Sequence, residues 1–142
     1  MSTLLKTVLL IDDNEADNFL HLRTLRRRNC AHEVVVFQDA AEALAYLSTP
    51  QAGRYPCPDL IFLDINMPGM NGWEFLEAYE AASSDYQGQT LLMMLSTSLS
   101  PDDQARAEQS PQVSGFLHKP LDRPKLDHIL QAHFGHNPQV EV

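Results

Sequence analysis

Four short apolar runs in this chain each end in residues that can do chemistry. VLLI is followed by Asp12 and Asp13, LIFL by Asp64, LLMML by Ser96, Thr97 and Ser98, and SGFLH by Lys119 and Pro120. Should these ends meet, three carboxylates, a hydroxyl and an ammonium share one crevice. Carboxylates that close repel one another, and at least one pKa rises unless a cation intervenes. Oxygen-only ligands select a hard divalent ion, Mg²⁺ or Mn²⁺, over zinc. Storing a metal does not call for a neighbouring lysine; holding a phosphoryl group as well does. Taken singly, each piece has a plainer reading: an Asp-Asp pair as a turn or cap, Lys-Pro as a loop, a Ser/Thr cluster as a turn. Their joint placement, each at the carboxyl end of a different run, is what argues for a site.

The elements that would position these groups alternate along the chain. Thr7 to Ile11 reads as a strand, and Glu15 to Asn29 as a helix whose apolar positions (Ala16, Phe19, Leu20, Leu22, Leu25) are only loosely periodic. Glu33 to Phe37 is a second strand. Asp39 and Glu42 form a candidate capping box ahead of a helix with Ala40, Ala43, Leu44 and Leu47 on one face. Leu60 to Leu63 is wholly apolar, as a strand buried on both faces should be. A helix runs from Gly72 to about Ala82, with Phe75, Leu76 and Tyr79 inward. Leu91 to Leu95 is a fourth strand, and Ser100, Pro101 and Asp103 mark the next helix start. Ser114 to His118 is the fifth strand, Asp122 caps a last helix with Leu126, Ile129, Leu130 and Phe134 inward, and Gly135 ends it. Five β-α units in series predict a parallel sheet with helices on both faces. Such sheets bind ligands at the carboxyl ends of their strands, where the aspartates and the lysine stand.

Composition narrows the function classes. The 142 residues carry a net charge of −9, which argues against a nucleic-acid phosphate backbone as partner. The basic cluster Arg23, Arg26, Arg27 and Arg28 reads as a solvated helix end favoured by the dipole. There is no secretory signal and no run long enough to span a bilayer, so the expected location is the cytoplasm, without membrane contact. Cys30 and Cys57 lack CxxC spacing and are expected to be reduced thiols. The six histidines show no convincing ligand spacing, and Met70 and Trp73 read as packing residues. No composition break suggests a second domain. One domain over 1–142 is expected, with its core at about 7–134 and a frayed tail at 135–142.

With these residues in place, a resemblance is plain. PDLIFLDINMPGMNG, from Pro58 to Gly72, resembles the phospho-acceptor region of response-regulator receiver domains. Asp12-Asp13 after VLLI, the Ser96 region after LLMML, and GFLHKP from Gly115 to Pro120 match the remaining family blocks in order, over about Thr7 to Phe134. The resemblance implies a flavodoxin-like (βα)5 fold with strand order 2-1-3-4-5. It implies that Asp64 accepts a phosphoryl group from a histidine kinase or a histidine phosphotransfer protein. By the same likeness Asp13, Asp64 and the Asn66 carbonyl would bind Mg²⁺ directly, Asp12 would act through a coordinated water, and Lys119 would pair with Asp64 and then with the phosphoryl oxygens. Lys119-Pro120 would be a cis peptide. Ser96, with Thr97 as runner-up, would be the hydroxyl that meets the phosphate, and Phe116 would stand in place of the family's switch aromatic. As a phenylalanine it would couple through packing alone.

The function this implies is a stand-alone signalling switch, not an enzyme beyond its own Mg²⁺-dependent phosphorylation and slow self-dephosphorylation. Its output would be an unidentified protein target on the fourth helix, fifth strand and fifth helix, or phosphorelay, with homodimerisation left open. One rival is a Mg²⁺-dependent phosphohydrolase with an aspartyl-phosphate intermediate. Such enzymes carry a second aspartate two residues after the nucleophile, and here that residue is Asn66, which cannot exchange a proton. Another rival is a receiver-like module that binds partners without phosphate, against which Asp12, Asp13, Asp64 and Lys119 all weigh. A flavodoxin is disfavoured because Asp12-Asp13 would repel a flavin phosphate.

Overall fold

A computed structural model describes residues 4–81, 90–97 and 100–135 of the chain. Its elements alternate strictly: β1 (Leu5–Ile11), α1 (Glu15–Arg28), β2 (Ala31–Phe37), α2 (Ala40–Leu47), β3 (Leu60–Asp64), α3 (Gly72–Ala81), β4 (Leu91–Ser96), α4 (Pro101–Gln109), β5 (Gly115–His118) and α5 (Arg123–Phe134). The strands pair in parallel in the order β2-β1-β3-β4-β5. β1 and β2 start two residues earlier than their apolar runs suggest, because paired strands share a ladder that begins at Leu5 opposite Ala31. β3 and β4 each extend one residue further, and so take Asp64 and Ser96 into the sheet itself. Ala82, Ser98 and the 136–142 part of the expected tail lie outside the described residues.

Strand alternation divides the core in two. Leu9, Ile11, Ile61, Leu63, Leu92 and Met94 face α2, α3 and α4. Val8, Leu10, Leu60, Phe62, Met93 and Leu95 face α1 and α5. All five residues of β3 are buried, since the strand has neighbours on both edges and helices on both faces. The helix starts are capped as expected at Asp39, Ser100 and Asp122, whose side chains accept from Ala41 and Glu42, from Asp103, and from Lys125. α3 carries a reciprocal box that the sequence reading overlooked. The Asn71 side chain accepts from the Glu74 amide, and Glu74 accepts from the Asn71 amide, each at 2.9 Å.

Helix α1 departs from the expected pattern. Its buried residues are Asn18, His21, Leu25 and Arg28, while Phe19 is 65% and Leu20 47% exposed. The loose periodicity thus has a cause: much of the inward face is polar, with Asn18 Nδ2, His21 Nε2 and Arg28 Nε each bonded to a specific partner. Arg28 is not part of a solvated cluster. It is buried and bonds Asp127 of α5 at 2.7 Å, whereas Arg23, Arg26 and Arg27 are exposed. Cys30 is buried and Cys57 exposed, and neither is in a disulfide. No helix among the described residues is long and apolar enough to cross a membrane.

Candidate functional site

The carboxyl ends of β1, β3, β4 and β5 do meet. Carboxylate oxygens of Asp12, Asp13 and Asp64 all lie within 4.8 Å of one another, the one such group of potential metal ligands among the described residues. Asp12 and Asp64 are buried and Asp13 is exposed, which gives the cluster a wet side. Asp12 is held firmly. Its amide donates to the Phe37 carbonyl at 3.0 Å, its Oδ1 accepts from the Asn14 amide at 2.9 Å, and its carbonyl accepts from the Asn18 side chain at 2.7 Å.

The Lys119 ammonium enters this cluster from the loop just after β5, its side chain only 7% exposed. It donates to Asp12 Oδ2 at 2.6 Å and to Asp17 Oδ2 at 2.8 Å, and stands 3.4 Å from Asp64 Oδ1. The short contacts therefore go to Asp12 and Asp17, and the expected partner Asp64 is the most distant of the three. Burial alone would lower the lysine's pKa, but the hydrogen bonds to Asp12 and Asp17 and the charges of Asp12 and Asp64 outweigh it and raise it. Lys119 therefore stays charged. Asp64 is pushed up to about 6, by burial first and then by the Asp12 charge, with Lys119 pulling the other way and Asp13 adding to the rise. A hard divalent cation relieves that crowding, and three carboxylates within reach of one point are the donor set it prefers.

The loop that carries Lys119 is fixed from several sides. Its amide donates to the Ser96 carbonyl at 2.8 Å, and the Lys125 ammonium bridges the His118 and Pro120 carbonyls at 2.8 and 3.0 Å. The Lys119-Pro120 peptide is cis. The next amide, Leu121, donates to His21 Nε2 at 3.2 Å. Burial, then the charge of Lys119, lowers the His21 pKa and favours the neutral ring that this acceptor role requires.

The Asp64 backbone has its own constraint. A Cβ on Gly72 would stand 2.6 Å from the Asp64 carbonyl oxygen and 2.9 Å from Ile65 Cα, and the Gly72 amide donates to the Ile65 carbonyl at 2.8 Å. Only glycine lets α3 begin so close behind the aspartate.

The chain matches the family model for the response regulator receiver domain over residues 8–131. It belongs to that family. The receiver domain is 34% identical over 130 residues to the response regulator Rcp1 of a Synechocystis strain, covering 89% of this chain and 85% of that protein. A two-component response regulator from Cytophaga hutchinsonii superposes with a TM-score of 0.83 at 32% identity, over 94% of this chain and all of that one. The phosphorylated cyanobacterial phytochrome response regulator RcpA superposes at 0.70 with 30% identity, over 89% of each chain. A structure of an Rcp1 in its Mn²⁺-bound form gives 0.71 at 26% identity, over 91% of this chain and 94% of that one.

Within this receiver domain, Asn66 lies exposed two residues beyond Asp64, in the loop that leads through Gly69, at φ 73°, into α3. Ser96 is fully buried as the last residue of β4, in register with His118, while Thr97 just beyond it is exposed. Phe116 on β5 registers with Met94 and packs, partly buried, on the α2–α4 side of the sheet. Strand alternation puts Ser96 on that same face. Asp17, His21, Gly72 and the Asn71–Glu74 box were not singled out as site residues from sequence. An N-x-x-E pattern could have shown the box. The other three owe their roles to contacts across the fold.

Proposed function

We propose that this receiver domain is a phosphorylation switch that accepts a phosphoryl group on Asp64, with Mg²⁺ bound by Asp13, Asp64 and the Asn66 carbonyl and by Asp12 through water. Mn²⁺ could take the same place. The observation that carries the reading is the placement of one buried ammonium, Lys119, against Asp12 and Asp64 beside a three-carboxylate cluster. Such a pairing of ammonium and metal-ligating carboxylates suits a group that brings its own negative charge.

The donor is a phosphohistidine on a histidine kinase or phosphotransfer protein. An Asp64 oxygen attacks phosphorus, the P–N bond breaks, and its electron pair returns to the leaving imidazole, which takes a proton from water. A bound divalent ion would supply charge neutralisation at the transferring oxygens. Lys119, 3.4 Å from Asp64 Oδ1, adds its own positive charge beside the acceptor. Asn66 offers no general acid or base, so the acyl phosphate persists instead of turning over.

Ser96 then reaches the phosphoryl group through its hydroxyl, and Phe116, on the same face of the sheet, moves into the space this vacates. Ser96 is preferred over Thr97 because it is buried beside β5 and on the Phe116 face. Shifting such an equilibrium from 1:99 to 99:1 takes about 5.5 kcal/mol of differential interaction, part of which a charge-assisted hydrogen bond and the lysine contact supply. Output is through a protein partner on the α4, β5 and α5 face or by phosphorelay, in the cytoplasm and without nucleic acid.

Intact mass after incubation with a small phosphoryl donor tests the reading. The expected result is one phosphoryl adduct, dependent on Mg²⁺ and absent in Asp64→Asn. A folded protein that never gains the adduct would support the phosphate-independent binding module instead. Rapid consumption of donor without accumulation would support the hydrolase.

A further inference from the structure

The geometry points to Asp17 as a positioning residue that aims Lys119 at the acceptor, an inference that rests on Asp64 being the phosphoryl acceptor. An ammonium has three N–H bonds in a fixed tripod. Two are taken, by Asp12 Oδ2 at 2.6 Å and Asp17 Oδ2 at 2.8 Å. The nearest further carboxylate is Asp64 Oδ1, at 3.4 Å. Two short anchors thus fix the tripod and leave the third N–H on the side where the phosphoryl group arrives.

The two anchors are not equivalent. Asp12 belongs to the cluster that would hold a divalent cation, and Asp17 does not. A metal drawing on Asp12 and Asp64 competes for two of the lysine's three carboxylates and repels the ammonium. Asp17 is the partner that stays.

Its own placement is rigid. Asp17 sits in the first turn of α1, where its amide donates to the Asn14 side chain at 2.9 Å. The helix behind it is tied to the site by Asn18, which donates to the Asp12 carbonyl, and by His21, which accepts from Leu121 just past the Lys119-Pro120 bond. The ordinary role of a first-turn acid, complementing the helix dipole, would leave this carboxylate facing solvent. Here its side chain is 28% exposed and turned onto a buried lysine.

The test compares wild type with Asp17→Asn and Asp17→Glu in the full chain. Three readouts are taken: the rate of Mg²⁺-dependent adduct formation with a small phosphoryl donor, the ¹⁵N signal of the Lys119 ammonium, and thermal unfolding. Asp17→Asn keeps shape and removes charge. Loss of one charge-assisted hydrogen bond predicts a rate lower by about tenfold. The hydrogen-bonded ammonium signal of wild type should be lost with it, while the unfolding temperature barely moves. Asp17→Glu should restore both rate and signal. An Asp17→Asn rate equal to or above wild type would overturn the proposal. So would a slow rate with the ammonium signal intact, since Asp17 would then act other than through Lys119. A wild type that forms no adduct would overturn the acceptor role of Asp64, and the ammonium signal alone would still decide whether Asp17 holds the lysine.

Discussion

Strand β3 and helix α1 both reach the acidic cluster, and they are held in opposite ways. β3 is buried along its whole length by side chains that need nothing but exclusion of water, until Asp64 at its end. α1 buries an amide, an imidazole and a guanidinium, each spent on a specific partner, and leaves Phe19 and Leu20 in solvent. Hydropathy therefore ranks residues correctly on the strand and misplaces Asn18, Phe19, Leu20, His21 and Arg28 on the helix. The strand supplies rigidity by packing. The helix supplies registration, because hydrogen bonds to the Asp12 carbonyl and the Leu121 amide fix angle and distance where apolar contact would allow sliding.

Truncation on the strand should have the largest effect on stability. Leu63→Ala removes a fully buried side chain between two packed layers and is expected to cost about 2–5 kcal/mol in urea unfolding. A cost below 1 kcal/mol would erase the contrast from the strand side. On the helix, Arg28→Ala should be the expensive change despite its charge. Breaking a buried pair costs about 3–5 kcal/mol, and the expectation here is nearer about 2 because Asp127 is one-fifth exposed and keeps Arg123 as a second partner.

The one charged residue of β3 gives a pH-dependent version of the comparison. Asp64 titrates near 6 in the fold against an ordinary 3.8, so the folded state binds its proton more tightly than the unfolded state does. Stability linked to this group is fully present below 3.8 and is lost as pH rises through about 6. Asp64→Asn should therefore melt at the same temperature as wild type in acid and at a higher temperature at neutral pH, by calorimetry without added metal. The reverse order at neutral pH would mean that Lys119 more than compensates for the burial. The smallest effect is expected for Phe19→Ser, within about 0.5 kcal/mol of wild type, since an exposed ring has little burial to lose.

How far the sequence could be read follows the same division. The apolar strands, the caps at Asp39, Ser100 and Asp122, and the run ends at Asp12, Asp13, Asp64 and Lys119 are local patterns, and the fold brings those four ionisable residues together. Asp17 looks like any acid in a first turn, and its meaning comes from a lysine 102 positions away. Gly72 gives no local sign either, because what forbids a side chain there is the carbonyl of Asp64 on another element. Arg28 was grouped with its neighbours by charge, although one step around the helix separates solvent from the α5 interface. Periodicity records which residues avoid water, and it is silent about polar groups that leave water for a partner.

The chain's single tryptophan occupies a useful place in this arrangement. Trp73 follows Gly72 directly, donates its indole N–H to Asp103 at 3.2 Å, and carries the Arg106 guanidinium 4.6 Å above its ring. Both partners belong to α4. An indole clamped between a carboxylate and a cation emits at a wavelength set by that local field. The molecule therefore carries a built-in optical gauge of how α4 sits on α3, readable in dilute solution without a label.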